Sequence, residues 1–200
     1  MGWEINFLEG LTSIGSANPN VNWLSWILLI ITFSCDHGII WIALIIVLLC
    51  LKKTRRVGLC LGLGLLVFLL LINNVIVKNV VARARPFAEN ATLYENVKHW
   101  MLDNGQSFLG LFEIPDSYSF PSGHTASSFL AASVLICYNK KAGLGAYIYA
   151  FIIAFTRLYF GVHYPTDVIF GMLYGLITGF ASFYLFELVA RKIKVKKKAL

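Results

Sequence analysis

Apolar residues occupy five long stretches of the chain, at 23–51, 57–77, 122–138, 143–160 and 168–190, each bounded or interrupted by polar or turn residues. Roughly 20 apolar residues in a helix cross about 30 Å of hydrocarbon. In lipid the backbone has to bond to itself, which favours helices. The pattern predicts an all-α fold, a polytopic membrane helix bundle with about six transmembrane helices, in a single domain over residues 1–200. The first stretch is too long for one pass. Within it Ser34-Cys35-Asp36-His37-Gly38 sets ionisable groups beside a glycine, so the pattern divides there. The remaining piece, 23–33, is short, so the first helix either borrows from 5–11 or inserts only partly. No positively charged segment precedes an apolar one at Met1-Gly2-Trp3-Glu4, and no cleavable signal peptide is expected. Gly171, Gly175 and Gly179 stand four apart, a spacing that suits close helix packing, inside the bundle rather than at a dimer face. Oligomeric state has no signal of its own.

Composition agrees with a bilayer and excludes an ordinary soluble domain, since 58% of residues are hydrophobic and 14% charged. The net charge of +7 gathers in clusters: Lys52, Lys53, Arg55 and Arg56; Lys140 and Lys141; and the tail 191–198. If the helices alternate, all of these fall on one side, the cytoplasmic one by the positive-inside tendency. The charge is then a topology signal with some attraction to anionic membrane lipids, and nucleic acid is not an expected partner. Cys35, Cys50, Cys60 and Cys137 lack metal-ligand spacing and read as packing residues.

The polar residues that remain are more telling, because ionisable groups beside hydrocarbon need a reason. Lys78 and Arg85 are seven apart at the end of the third helix, so both cations share one face if the helix persists until Pro86 ends it. Arg83 between them reads as a snorkelling or headgroup-contacting side chain. Pro121-Ser122-Gly123-His124 has the form of a helix start whose free N–H groups favour an anion, with His124 at its mouth. A capped helix with an ordinary interfacial histidine fits those four residues equally well. The third place holds Thr156-Arg157, then His163 and Asp167. The last two are four apart, so on a helix the carboxylate reaches one imidazole nitrogen and turns the other toward a substrate. A metal would need further ligands. The other histidines, His37, His99 and His124, have no supporting acidic cluster, and neither metal nor cofactor is expected. Alternating passes bring all of these residues to the face opposite the basic loops.

In this combination the chain resembles the type-2 phosphatidic acid phosphatase superfamily, which also includes glucose-6-phosphatases and vanadium haloperoxidases. Lys78 to Arg85-Pro86, Pro121 to His124, and Arg157, His163 and Asp167 match that family's motifs in type, spacing and order, with Thr156 where serine is usual. The resemblance covers the chain from Lys52 to the last helix. It implies catalytic roles for His163 as nucleophile, Asp167 as its orienter and His124 as the proton donor to the leaving oxygen. It also implies that Lys78, Arg85, Ser122, Gly123 and Arg157 hold the phosphoryl oxygens without a metal. The expected function is a metal-independent membrane lipid phosphatase working through a phosphohistidine, its site on the extracytoplasmic face of the cell membrane.

Segment 87–120 is too long for a simple turn and carries apolar and aromatic residues. It reads as an extracytoplasmic lid or a wall that admits lipid, or else as a loop resting on headgroups. Undecaprenyl diphosphate, converted to undecaprenyl phosphate, is the expected substrate. Phosphatidylglycerophosphate is the alternative, and lipid A and phosphatidic acid stay open. Two other classes stand beside the enzyme. A transporter would place its ionisable residues near the midplane. A catalytically inactive lipid-binding protein would have lost His163, Asp167 or His124.

Overall fold

The computed structural model describes residues 2–17, 22–99 and 115–198, which are helical and, among the described residues, contain no strand. Helix α1 is Gly2–Ala17 and α2 is Asn22–Cys35; a 3-10 turn over Asp36–Gly38 joins α2 to α3, Ile39–Cys50. Helix α4, Arg55–Gly64, runs on without a break through a π-helical stretch, Leu65–Val77, into the short α5, Lys78–Val81. Then come α6 (Pro86–Glu89), α7 (Ala91–Lys98), α8 (Gly123–Tyr138), α9 (Lys140–Tyr159) and the long α10 (Pro165–Lys198).

Helix α8 is the axis of the bundle, packed chiefly between α9 and α10. Its small residues Ala126, Ser127, Ala131, Ala132 and Ser133 are buried and let neighbouring backbones come close. The expected role of the glycine ladder is borne out in the bundle. A Cβ on Gly175 would fall 2.5 Å from the Ala126 carbonyl, and one on Gly179 2.5 Å from the Ser133 Cβ.

The division at residues 34–38 takes a different form from the expected one. His37 (φ 51°) and Gly38 (φ 73°) bend the chain, but α2 and α3 form one kinked span rather than two passes. Ser25 and Thr32 of α2 touch Tyr159 and Thr156 near the end of α9, whereas Leu48 and Leu49 of α3 lie against Gly58 near the start of α4. By length and composition four helices can cross a membrane: Trp23–Cys50, Arg55–Glu89, Lys140–Tyr159 and Pro165–Val195. The expected count of about six is not reached on this measure, since α1 and α8 have 16 residues each.

Helix α1 packs instead beside α7 and the end of α9, where Leu8, Leu93, Val97, Phe160, Val162 and Tyr164 share one buried cluster. Leu93 and Val97, two of the apolar residues of segment 87–120, therefore face α1. The apolar residues of that segment between 100 and 114 lie outside the described residues.

Candidate active site

The polar residues singled out in the sequence meet at one end of the bundle, by a route that differs from the expected one. The helix carrying Lys78 ends at Val81, and Ala82 takes a left-handed conformation (φ 47°), so Arg85 is delivered by an extended segment rather than by a shared helical face. The two cations converge on Ser117: Lys78 Nζ lies 3.4 Å from its Oγ, while Arg85 donates to its carbonyl (2.7 Å) and its Oγ (3.0 Å). Arg85 also donates to the Val162 carbonyl at 2.9 Å, and its Nη1 stands 3.3 Å from His163 Nε2.

Gly161, with φ +64°, lets the chain turn out of α9 and place His163 before α10 begins at Pro165. His163 and Asp167 thus do not share a helix as expected. Their closest atoms are 3.7 Å apart, an ion-pair distance but too long for a hydrogen bond. Ser119 stands between them, donating to Asp167 Oδ2 in a short bond while its Oγ lies 3.4 Å from His163 Nδ1. A hydroxyl has one proton, so Ser119 can only accept from His163. That logic puts the imidazole proton on Nδ1 and leaves a lone pair on Nε2, beside Arg85. Burial, then the nearby charges of Arg85, Arg157 and Lys78, hold the His163 imidazole well below the usual histidine range, so it is neutral at pH 7.

Ser122 occupies the N-cap position of α8, yet its hydroxyl makes no capping bond; it accepts from Thr125 Oγ1 at 3.0 Å, and its N–H donates to the Asp167 carbonyl at 3.1 Å. A Cβ on Gly123 would meet nothing of the protein nearer than 3.9 Å, so the fold itself does not require glycine there. His124 Nε2 lies 2.5 Å from Asp36 Oδ1, across the kink between α2 and α3. Arg157 is buried and donates to Thr32 Oγ1 at 2.7 Å, while its Nε has no hydrogen-bond partner among the described residues. Among the described residues, none of Lys78, Arg85 and Arg157 is ion-paired with a carboxylate. Two buried arginines and a half-buried lysine without a carboxylate ion pair among the described residues favour an anion, and the first N–H groups of α8 add to it.

Arg83 corrects the expectation most clearly. It does not snorkel to headgroups: its side chain is 16% exposed and donates to Asp167 Oδ1 at 2.6 Å and Glu4 Oε2 at 2.8 Å. Ser119, Asp36 and Glu4 were not assigned to the site by sequence reasoning, because their partners are distant in the chain and nothing in their local pattern marks them.

A cavity of about 690 Å³ adjoins the same place. It is lined by apolar residues, among them Trp41, Ile45, Leu66 and Leu70 of α3 and the π-helical stretch, and by Asn74, Lys78, Ser117 and His124. Among the described residues no three His, Cys, Asp or Glu side chains cluster as a metal site.

This helical bundle, with a cationic, histidine-bearing pocket at one end of its helices, belongs to the PAP2 superfamily, whose model matches residues 55–191. An undecaprenyl-diphosphatase of Sulfolobus acidocaldarius is 32% identical over 145 residues, covering 72% of this chain and 62% of the relative. A lipid A 4'-phosphatase of Bacteroides thetaiotaomicron is 41% identical over 81 residues, 40% of this chain and 34% of that one. The match thus spans less than two thirds of either relative. The crystal structure of a transmembrane phosphatidylglycerolphosphate phosphatase from Bacillus subtilis superposes with a TM-score of 0.64, covering 96% of this chain and 86% of that one. At 24% identity it speaks for the fold alone.

Proposed function

We propose that the protein is an integral membrane lipid phosphatase that passes a phosphoryl group from a lipid (di)phosphate to His163 and then to water. The observation that carries this reading is an apolar cavity that reaches Lys78, Ser117 and His124, with Arg85 on the same Ser117 and 3.3 Å from His163 Nε2, and with no carboxylate ion pair to Lys78, Arg85 or Arg157 among the described residues. The lipid chain lies in the cavity along α3, and its phosphate reaches Lys78, Arg85, Arg157 and the N-terminus of α8 at Ser122 and Gly123. His163 Nε2 attacks phosphorus as the bond to the leaving oxygen breaks, and His124 gives that oxygen its proton. Water then loses a proton to His124 and attacks the same phosphorus, which breaks the N–P bond and releases phosphate. Asp167, through Ser119, keeps the His163 proton on Nδ1, so that Nε2 stays nucleophilic. The cations meet the charge that develops on the phosphoryl oxygens, and the reading requires no metal.

Undecaprenyl diphosphate is the first candidate substrate, supported by the name of the Sulfolobus relative. Phosphatidylglycerophosphate is the alternative. Phosphate release from undecaprenyl diphosphate, phosphatidylglycerophosphate, lipid A and phosphatidic acid, by full-length protein in detergent with chelator present, distinguishes these readings. Strict dependence on added magnesium would refute metal independence. The basic clusters support an extracytoplasmic site. Single cysteines at Ala88 and Lys140, in a background without the native four, test the sidedness: an impermeant thiol reagent should label only the first in intact cells.

A further inference from the structure

The geometry points to Arg83, clamped by Glu4, as a positioning residue that acts through Asp167 and makes the N-terminal helix α1 part of the reaction machinery. The inference rests on the phosphohistidine reading above and deepens it. Asp167 is fully buried, and a buried carboxylate without a counter-charge carries a large desolvation cost. The phosphate-site cations do not bond to it. Its Oδ2 is taken by Ser119 and by the Tyr164 N–H at 2.9 Å, and its Oδ1 by Arg83 at 2.6 Å. Arg83 therefore compensates Asp167, which leaves Lys78, Arg85 and Arg157 to the substrate.

Arg83 is itself held on several sides. Its second arm donates to Glu4 Oε2 at 2.8 Å, and Nη1 donates to Thr166 Oγ1 at 2.7 Å as well as to Asp167. Its guanidinium carbon sits 3.8 Å from the centroid of the Tyr164 ring, whose hydroxyl donates to Glu89 at 2.8 Å. Glu4, 4% exposed, spends its other oxygen on the N–H (3.1 Å) and hydroxyl (2.7 Å) of Thr166, in the first turn of α10. One carboxylate of α1 thus grips both the arginine and the helix end that carries Asp167. A fork with its donors divided in this way sets the rotation of the carboxylate, and lysine, a point charge, would not.

The test uses full-length protein in detergent with whichever of undecaprenyl diphosphate, phosphatidylglycerophosphate, lipid A and phosphatidic acid the wild type hydrolyses fastest. Arg83→Gln should lower kcat by about ten- to a hundredfold, the range met when a partner that orients a reactive group is lost. KM should stay within about twofold, because Arg83 does not reach the phosphate. Arg83→Lys should recover part of kcat, and Glu4→Gln should cost less than Arg83→Gln. In an Asp167→Asn background Arg83→Gln should cost under about twofold more, since two residues acting as one unit are not additive. A merely structural clamp would lower thermal stability and cost the same factor in both backgrounds. The inference is overturned if Arg83→Gln leaves kcat within about twofold of wild type, if it raises KM alone, or if its cost is unchanged beside Asp167→Asn. Should Arg83→Gln fail to fold, Arg83→Lys and Glu4→Gln carry the same comparison. Turnover by His163→Ala would overturn the phosphohistidine reading instead, while the coupling of Arg83 to Asp167 would still be read from the cycle.

Discussion

Two arginine–carboxylate pairs mark opposite ends of this molecule. At the site end, Arg83 and Asp167 are 16% and 0% exposed, and each has further hydrogen bonds. At the other end Arg56 on α4 makes a bidentate pair with Glu187 on α10, their side chains 52% and 17% exposed, so that the arginine stands largely in solvent and the carboxylate does not. The exposed pair staples two helices together in a setting where water and salt screen it, and such pairs contribute about 0–1 kcal/mol. The buried pair sits where loss of one partner strands a charge, a far larger effect of about 3–5 kcal/mol. The same chemistry is a surface fastening in one place and a positioning device in the other. Burial makes the difference.

That contrast is sharpest if changes at the site end abolish turnover while the protein stays folded. His163→Ala should remove phosphate release altogether without loss of a monodisperse, helical protein by size exclusion and circular dichroism; near-wild-type release would break the mechanism. Asp167→Asn should lower kcat by about a hundred- to ten-thousandfold without abolishing it, because the imidazole remains but in a poorer tautomer and orientation. Ser119→Ala removes the hydroxyl between the two, and an expected loss of about ten- to a hundredfold in kcat is read in the same assay. Asp36→Asn loosens only the orientation of His124, so its cost should be about tenfold on a lipid phosphate. On p-nitrophenyl phosphate, whose leaving oxygen needs no proton, the first burst of p-nitrophenol should be unaffected while the later attack of water, which still needs His124 as base, keeps the loss; a loss in the burst itself would place Asp36 elsewhere in the mechanism. Smallest of all, Arg56→Gln should leave kcat unchanged and cost about 1 kcal/mol or less, seen as a slight fall in the thermal midpoint. A large loss of activity there would erase the difference between the two ends.

Several features were legible along the chain for a physical reason. Membrane helices declare themselves because hydrocarbon demands long apolar runs, and the four spans overlap the apolar stretches. Lys78, Arg85, His124, Arg157 and His163 stood out because charge beside such runs is expensive. Gly175 and Gly179 were readable as packing positions from spacing alone. Other expectations went astray where local pattern was silent. Asp36 and His37 have the pattern of a break between two passes, but a bend of two left-handed residues, His37 and Gly38, keeps α2 and α3 in one kinked span. The face shared by Lys78 and Arg85 assumed a helix that in fact stops at Val81, and the pair converges through Ser117 instead.

The membrane class, the helical character of the apolar stretches and the family motifs follow from residues close together in the chain and from the solvent around them, whereas the number of passes does not. Which charges neutralise one another is settled by packing between elements far apart in the chain. Ser119 reaches His163 from 44 residues away, Arg83 reaches Asp167 from 84, and His124 meets Asp36 across 88. No periodicity encodes such pairings, because helix and turn rules bind neighbours a few residues apart. Arg83 and Arg85 are two positions apart, yet one compensates the buried Asp167 and the other stands beside the imidazole of His163. That assignment depends on the left-handed Ala82 and the extended segment after it, and on Glu4 of α1 being packed within reach.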